Sequence, residues 1–529
     1  MDWVDLEQIS GAERAAAKPR RLRCCTATGC RAAGAEAVLE SLQRAATDLA
    51  DLEVVGVGCL GLCCQGPLVQ ADPGDRLYAG VAADQADALL ADLEQPDPQL
   101  PTLDPQHPFF SQQLKIVNRH SGLVDPERIE SYIALGGYRA LYRSLFEFSP
   151  EQVVAEIQTS GLRGRGGGGY STGLKWATVA KAKGDRKFVV CNGDEGDPGA
   201  FMDRSVLESD PHQVIEGMAI AAYAVGATAG FLYVRAEYPL AIDRLNRAIK
   251  QAKRLGLLGS GIFGTRFEFN LEVRIGAGAF VCGEETALMH SIQGQRGVPR
   301  VRPPYPAESG LWGCPTLINN VETFANIAPI LDCGAEWFAA IGSERSRGTK
   351  VFALTGKVRN NGLIEVPMGL PLRTIVEAMG EPETVVKAVQ TGGPSGGCIP
   401  ASHLDTPVDY DSLVALGSMM GSGGMVVLDE STDMVELARF YMEFCRSESC
   451  GKCVPCRAGT VQLHELLGRI ARREVGPDAL DQLESLSHLV KDTSLCGLGM
   501  SAPNPTLSTL HWFREEYEGR VATSSGDPS

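Results

Sequence analysis

Three cysteines, in the run Ser449-Cys450-Gly451-Lys452-Cys453-Val454-Pro455-Cys456-Arg457, constrain this chain more than any other feature. A C-x2-C-x2-C spacing wraps three thiolates round one face of a small cluster, and a fourth thiolate is then needed. Cys496, in Ser494-Leu495-Cys496-Gly497, supplies it from the loop beyond the intervening helices. Four thiolates are the ordinary ligation of a 4Fe-4S cluster. A structural zinc site is the competing use, but zinc usually takes paired C-x2-C knuckles. The surrounding segment, 433–529, is helical by period from Asp433 to Glu518 and ends in a Ser/Gly/Asp/Pro tail that is expected to fray.

A second set reads Cys25-Thr-Ala-Thr-Gly-Cys30 and Cys59-Leu-Gly-Leu-Cys63. Two pairs from two loops can hold the two irons of a 2Fe-2S centre. A zinc site and buried thiols are the alternatives, and the neighbours Cys24 and Cys64 leave the choice of ligands open. The N-terminus, Met1 to Ser10, carries acids and no basic-then-apolar signal, so the sixteen cysteines are expected in a reducing cytoplasm, with disulfides the lesser use. Cys191, Cys282, Cys314, Cys333, Cys398 and Cys445 read as small, mostly buried side chains.

At 529 residues the chain exceeds one core. The segment 1–93 mixes Ala-rich helical patterns with the strand-like run Val54 to Val57. Residues 94–148 form a linker and wrapping arm: Pro96, Pro98, Pro101, Pro105 and Pro108 exclude helix and interior strand up to Phe109, and Ile129 to Leu145 has helical spacing. In 149–345 helices alternate with the strands Lys187 to Val190, Phe231 to Val234 and Leu271 to Ile275, an α/β layer. In 346–432 three strand-like runs and one helix near Leu372 to Met379 predict a small α+β domain. Gly217 to Val234 is an eighteen-residue apolar stretch. Gly226 to Gly230 breaks it into a buried helix after Asp210-Pro211 and a strand, so no membrane span is predicted. The net charge of −16 argues against nucleic acid and anionic membrane surfaces as partners.

From Gly161 to Gly173 seven glycines fall in thirteen positions, with Arg165 among them and Tyr170, Lys175 and Trp176 close by. Such a loop lets backbone N–H groups approach an anion or an aromatic ring. Gly164 to Gly169 matches G-x-G-x-x-G, but Pro150 to Ser160 before it is helical, so this is not a Rossmann turn, and no Gly-Lys-Ser/Thr makes it a Walker loop. A flexible spacer is the bland alternative. Three further motifs place amides and carboxylates at strand-to-loop junctions: Cys191 to Arg204, Gly278 to Thr286 and Leu317 to Thr323. Each alone could be a capping turn. Together with the glycine loop they describe one polar pocket.

In this order, Ser160–Trp176, Val190–Arg204, Gly276–Leu288, Arg300–Pro306, Leu311–Thr323 and Ser449–Arg457 resemble the NADH-binding flavoprotein subunit of respiratory complex I, over about Ser111 to Phe513. The front module resembles a shortened thioredoxin-like 2Fe-2S protein fused in cis. The combination is most similar to the diaphorase flavoproteins of bidirectional, NAD-linked NiFe hydrogenases of the Hox type. Flavin subunits of NAD-dependent formate dehydrogenases and of bifurcating hydrogenases are close relatives of these. The resemblance implies a multidomain α/β and α+β protein with a thioredoxin-like module, an FMN/NADH domain, a β-grasp-like domain and a helical cluster domain. It implies FMN held by Gly164, Arg165, Gly166, Lys175, Asn192, Asp194, Glu195, Gly283, Glu284, Ile318, Asn319, Asn320 and Thr323. NAD(H) would lie against Tyr170, Phe280 and Tyr305, near Lys175, Asp197, Glu285 and Arg302. Asp197 stands where this family usually has Glu, and Met202 where it usually has Lys.

The implied activity is that of an NAD(H):acceptor oxidoreductase, with hydride exchanged between nicotinamide and flavin and single electrons passed to the clusters. No side chain is required as general acid or base. The implied partners are the other subunits of an iron–sulfur complex: a small 2Fe-2S subunit, a ferredoxin-like subunit and a hydrogenase module, with any membrane association peripheral and through them. Two other classes remain at this level: an electron relay whose nucleotide pocket has decayed, and a zinc-stabilised nucleotide sensor.

Overall fold

The computed structural model describes residues 1–95 and 97–521. The tail expected to fray, beyond Val521, and Pro96 of the linker lie outside these residues.

The first sheet contains β1 (Arg20–Cys25), β2 (Leu52–Val57), β3 (Val69–Asp72), β4 (Arg76–Tyr78) and β5 (Thr102–Leu103) in the order β2-β1-β3-β4-β5. The run Val54 to Val57 falls in β2, which pairs parallel to β1. The proline-rich segment is more structured than a spacer. Thr102 and Leu103 pair with Tyr78 and Leu77 as an edge strand, a position that tolerates proline neighbours, and Pro108 opens a helical turn that His107 caps.

Helix Trp3–Ala16 precedes this sheet in sequence but packs elsewhere, on helix Ile129–Ala134 of the arm. Arg14 donates to the Ala134 carbonyl at 2.8 Å, Arg128 pairs with Glu13, and the Trp3 and Tyr142 rings lie 4.9 Å apart. The helical spacing of Ile129 to Leu145 resolves into two helices, Ile129–Ala134 and Arg139–Phe146, parted at Gly136-Gly137. Two buried carboxylates hold the arm. Glu365 accepts from the backbone of Ile116, Val117 and Asn118 and from the Thr349 hydroxyl, while Glu216 accepts from Tyr138 N, Leu141 N and the Tyr132 hydroxyl.

The second sheet is parallel: β6 (Phe188–Gly193), β7 (Ala229–Arg235), β8 (Asn270–Gly276) and β9 (Thr316–Asn320), in the order β8-β7-β6-β9. Its central strands are buried along nearly their whole length because helices cover both faces. The long apolar stretch is indeed split. Helix Pro211–Val225, started by the Asp210 cap, stops at Gly226 with φ +76° and gives way to β7. Among the described residues no helix is long and apolar enough to cross a membrane.

The third sheet has β10 (Thr349–Gly356), β11 (Gly362–Pro367), β12 (Val386–Thr391), β13 (Gly397–Pro400) and β14 (Gly424–Asp429). The order β11-β10-β14-β12-β13, with β14 parallel to β10, is the β-grasp arrangement. The helix expected near Leu372 to Met379 is present as a six-residue π-helix, Thr374–Met379. A second helix, Tyr410–Ala415, escaped the sequence reading because it is six residues long. Helices Met434–Ser447, Val454–Ala471, Ala479–Thr493 and Asn504–Trp512 form the C-terminal bundle around Val435, Leu463, Leu467, Leu483, Val490 and Leu510.

Candidate functional site

The carboxyl ends of β6 and β9 lie side by side, with Cys191 opposite Asn319 and Asn192 opposite Asn320. Ligands of open parallel sheets sit at this rim. The glycine loop, between helix Pro150–Thr159 and helix Thr172–Lys181, closes over it: the Arg165 amide donates to the Thr323 hydroxyl at 2.9 Å, and Lys175 Nζ donates to the Ile318 carbonyl at 3.1 Å. Burial pushes Lys175 below its ordinary value, and Glu285, 3.9 Å away, opposes that.

A cavity of about 640 Å³ opens beside this loop, lined among others by Gly168, Tyr170, Lys175, Glu285, Arg302 and Tyr305. Tyr170 and Tyr305 present exposed rings, and Arg302 pairs with Glu285 at 2.8 Å. Five of the residues expected round a nicotinamide nucleotide therefore share one cavity. The other two lie outside its lining: Asp197 accepts from the Ser422 hydroxyl at 2.8 Å, and Phe280 packs edge-on against Phe444 of the C-terminal bundle. Thr178, Ala307 and Glu308 also line the cavity, but no motif marked them.

Several residues expected at the flavin direct their side chains into the protein. The Arg165 guanidinium is fully buried and donates to the carbonyls of Thr349, Arg163 and Arg347. Glu195 and Glu284 cap the helices that start at Met202 and Glu285, and Asn319 accepts from the Trp176 indole. Asn192 holds the Gly283 carbonyl at 2.8 Å and so ties β6 to the 280–283 turn.

Asp194 is different. Both its carboxylate oxygens are buried without a hydrogen-bond partner among the described residues, and Arg235 Nη1, also unpartnered, stops 3.9 Å short. Burial pushes Asp194 up to about 7, with Arg235 opposing. Buried polar groups without partners are rare and point to a ligand that completes them, so this rim fits FMN. Arg235, at the end of β7, was legible only from its place at the rim.

Gly168 carries the same message. Gly167 and Gly169 need positive φ values of +117° and +59°. Gly168 does not, and a Cβ built there meets nothing within 4 Å, so packing gives no reason for glycine. The reason lies in what fills the cavity. Gly168→Val should leave the thermal midpoint unchanged and raise the KM for the nicotinamide nucleotide about tenfold, the loss of about 1.4 kcal/mol of binding. Parallel melting and steady-state kinetics would check it.

Cys450, Cys453, Cys456 and Cys496 face one small enclosed space together with Val281, Pro299 and Leu498. Cys453 occupies the N-cap position of helix Val454–Ala471, Cys456 lies in its first turn, and Cys496 occupies the N-cap position of a second short helix, so N-terminal backbone dipoles favour thiolate charge here. Burial pushes the Cys456 thiol up to about 11, and iron binding must displace that proton. The cage packs on the 279–283 turn, in one core with Phe188, Val190 and Ile318 of the sheet.

In the first module Cys25, Cys30 and Cys59 lie in a common core with Cys63 against it, and the Cys59 and Cys63 sulfurs are 3.8 Å apart. The strand alternation of β1 turns Cys24 to the opposite side, among Leu22, Val38 and Val69, and Cys64 turns outward to the Arg359 carbonyl. Among the described residues no group of three or more His, Cys, Asp or Glu side chains is arranged as round a single metal ion. Cys63→Ala should remove about two irons and one EPR signal, whereas Cys24→Ala and Cys64→Ala should retain both, as iron analysis would tell.

Family models match along most of the chain: the thioredoxin-like [2Fe-2S] ferredoxin over residues 13–94, the Nuo51 FMN-binding domain over 157–329 and the NADH-ubiquinone oxidoreductase-F iron-sulfur binding region over 436–520. The chain is 55% identical to the NADP-reducing hydrogenase subunit HndC of Solidesulfovibrio fructosivorans, over 77% of this chain and 84% of that protein. It is 46% identical to a subunit of an NADH-quinone oxidoreductase of Rhizobium meliloti, over 77% and 97%. A chain of the NAD+-reducing [NiFe]-hydrogenase, solved in its H2-reduced state, superposes with a TM-score of 0.70 at 30% identity, covering 99% of this chain and 91% of that one. The cofactors are thus FMN, a 4Fe-4S cluster and a 2Fe-2S cluster. The chain belongs to the family of FMN-bearing, NADH-oxidising iron–sulfur subunits shared by complex I-type NADH-quinone oxidoreductases and NAD(P)-linked hydrogenases.

Proposed function

We propose that this chain is the diaphorase subunit of a bidirectional NiFe hydrogenase, exchanging hydride between NAD(H) and FMN at the rim of the parallel sheet and single electrons with partner subunits. The observation that carries this reading is the adjacency of the nucleotide cavity to the cysteine cage through Ile318, which lines the cavity and shares one core with Cys456 and Cys496. The in-cis 2Fe-2S module and the full-length likeness to a hydrogenase chain favour a hydrogenase partner over a formate dehydrogenase. Bound FMN supplies the conversion between a two-electron hydride and single electrons.

The chain's own residues position and select. Tyr170 and Tyr305 offer ring faces to a nicotinamide nucleotide, and Lys175 meets flavin or phosphate charge from the cavity wall. Gly164, Gly166, Gly283 and the Asn320 to Thr323 turn bring backbone to the flavin, with Asn192 and Asp194 at its polar edge. Glu285, paired with Arg302, suits a ribose hydroxyl and repels a 2′-phosphate, which favours NAD over NADP. The NADP-reducing relative supports the opposite preference, so both nucleotides belong in the test.

The test is metal and flavin content of the anaerobically purified chain, with EPR before and after NADH or NADPH. About six irons and one FMN, with two signals developed by NADH, is the expected result. Faster reduction by NADPH would reverse the nucleotide assignment, and zinc without flavin would overturn the reading. Reduction by hydrogen on adding a purified hydrogenase module, and not by formate with a formate dehydrogenase module, would fix the partner.

A further inference from the structure

Behind Asn320 three buried carboxylates share one space with, among the described residues, one lysine. Glu195, Asp203 and Glu322 are at most 5% exposed, and Lys350, from β10, is fully buried. They are not equally provided for. Glu322 binds Lys350 Nζ with one oxygen and the Val351 amide, at 3.0 Å, with the other. Glu195 accepts from the Asp203 and Arg204 amides at 3.0 and 3.1 Å and from the Tyr238 hydroxyl at 3.2 Å. Asp203 accepts from the Asn320 amide alone, at 2.5 Å, among the described residues. Ionised together, the three acids would leave two uncompensated charges in a low-dielectric space, and the acid with the fewest donors then keeps its proton.

We propose that Asp203 is a neutral carboxylic acid in the resting protein, and that its proton spares the wall behind the flavin a second uncompensated negative charge and so tunes the flavin potential. The inference rests on the assignment of Asn320 and Gly166 to the flavin site. Asp203 is one hydrogen bond from Asn320, whose Cβ lies 3.0 Å from the position a Cβ on Gly166 would take. Burial pushes Asp203 well above the usual carboxylate range, Glu195 and Glu322 push the same way, and Lys350 and Asn320 oppose. The remaining groups on this space are Cys191 of β6, the Tyr238 hydroxyl, Asp197 beyond Glu195, and Arg204 of the same helix, whose guanidinium lies over the Phe201 and Tyr238 rings. An ionised Asp203 would oppose electrons arriving as hydride. As pH rises through its ionisation, the flavin midpoint therefore falls more steeply than flavin chemistry alone requires.

Asp203→Asn separates these effects, because the amide keeps both the carbonyl acceptor and the neutrality. The full chain, with its clusters, is examined by infrared difference spectroscopy and by spectroelectrochemical titration of the flavin. The wild-type-minus-variant spectrum at neutral pH should contain the carbonyl stretch of one protonated carboxyl, shifted in D2O. The variant should retain FMN and lose the alkaline break in the midpoint–pH curve. A redox-difference spectrum of the wild type needs no variant and should show that same stretch move as the flavin is reduced. Absence of the carboxyl band overturns the proton on Asp203. A band with identical midpoint curves in both proteins, or one unmoved by flavin reduction, overturns its link to the flavin. Unchanged FMN content in Asn320→Ala would instead strike the assignment of Asn320 on which the inference rests.

Discussion

Serine at Cys496 should empty the C-terminal cage, lowering iron from about six to about two per chain while FMN stays bound. The other three thiolates come from one loop and the first helical turn after it, and Cys496 alone reaches in from the far side of helix Ala479–Thr493, so without it the cage has one open wall. Reduction of the flavin by NADH should survive within about threefold, because the nucleotide cavity contains none of the four cysteines. Delivery of electrons to the partner complex should fall by at least about a hundredfold, some 2.7 kcal/mol in barrier. Stopped-flow flavin bleaching beside turnover with the partner complex separates the two. Full iron in the variant would mean that the fourth ligand had been misassigned.

The largest stability effect is expected at Glu365, which holds the arm and is not among the residues assigned to a cofactor. Its carboxylate gathers three successive backbone amides of the arm, at 2.8 to 2.9 Å, and the Thr349 hydroxyl at 2.5 Å, although burial pushes it above its ordinary value. Glu365→Ala orphans these donors in a buried interface and should cost about 4 kcal/mol. Glu365→Gln sets an amide N–H₂ against some of them and should cost about 2 kcal/mol. Urea unfolding gives the magnitude. Limited proteolysis gives the place, since cleavage should begin near Ile116 to Asn118. Wild-type stability in the alanine variant would mean that the arm holds itself.

The sequence made the chemistry legible wherever spacing alone specifies it. Cys450, Cys453, Cys456 and Cys496 come together because their spacing leaves few other uses for them, and the glycine loop announces a close backbone approach. What spacing does not reveal is the direction of a side chain. Glu195 and Glu284 stand in motifs that read as ligands, yet a carboxylate at a strand-to-helix junction serves equally well as a cap, and there both do so. Asp203, in the same motif, passed unremarked because its significance comes from Glu322 and Lys350, more than a hundred positions away. In the fold, periodic runs gave the helices and strands. They gave no sign that Trp3–Ala16 would sit on the arm or that Thr102 and Leu103 would close a sheet edge, because both depend on partners distant in sequence.

Helix Met202–Ser209 reaches the two redox regions at its opposite ends. Asp203 near its start lies behind the proposed flavin pocket, and at its end Glu208 takes the Thr28 amide and hydroxyl while the Ser209 hydroxyl takes the Cys59 amide at 2.9 Å. Eight residues of α-helix measure about 12 Å and cannot stretch without breaking their own hydrogen bonds. The helix is a ruler. It fixes the spacing between the proposed flavin side and the N-terminal cysteines as a covalent strut would, so electrons exchanged between cofactors at those two places would meet a constant gap and no diffusional docking step.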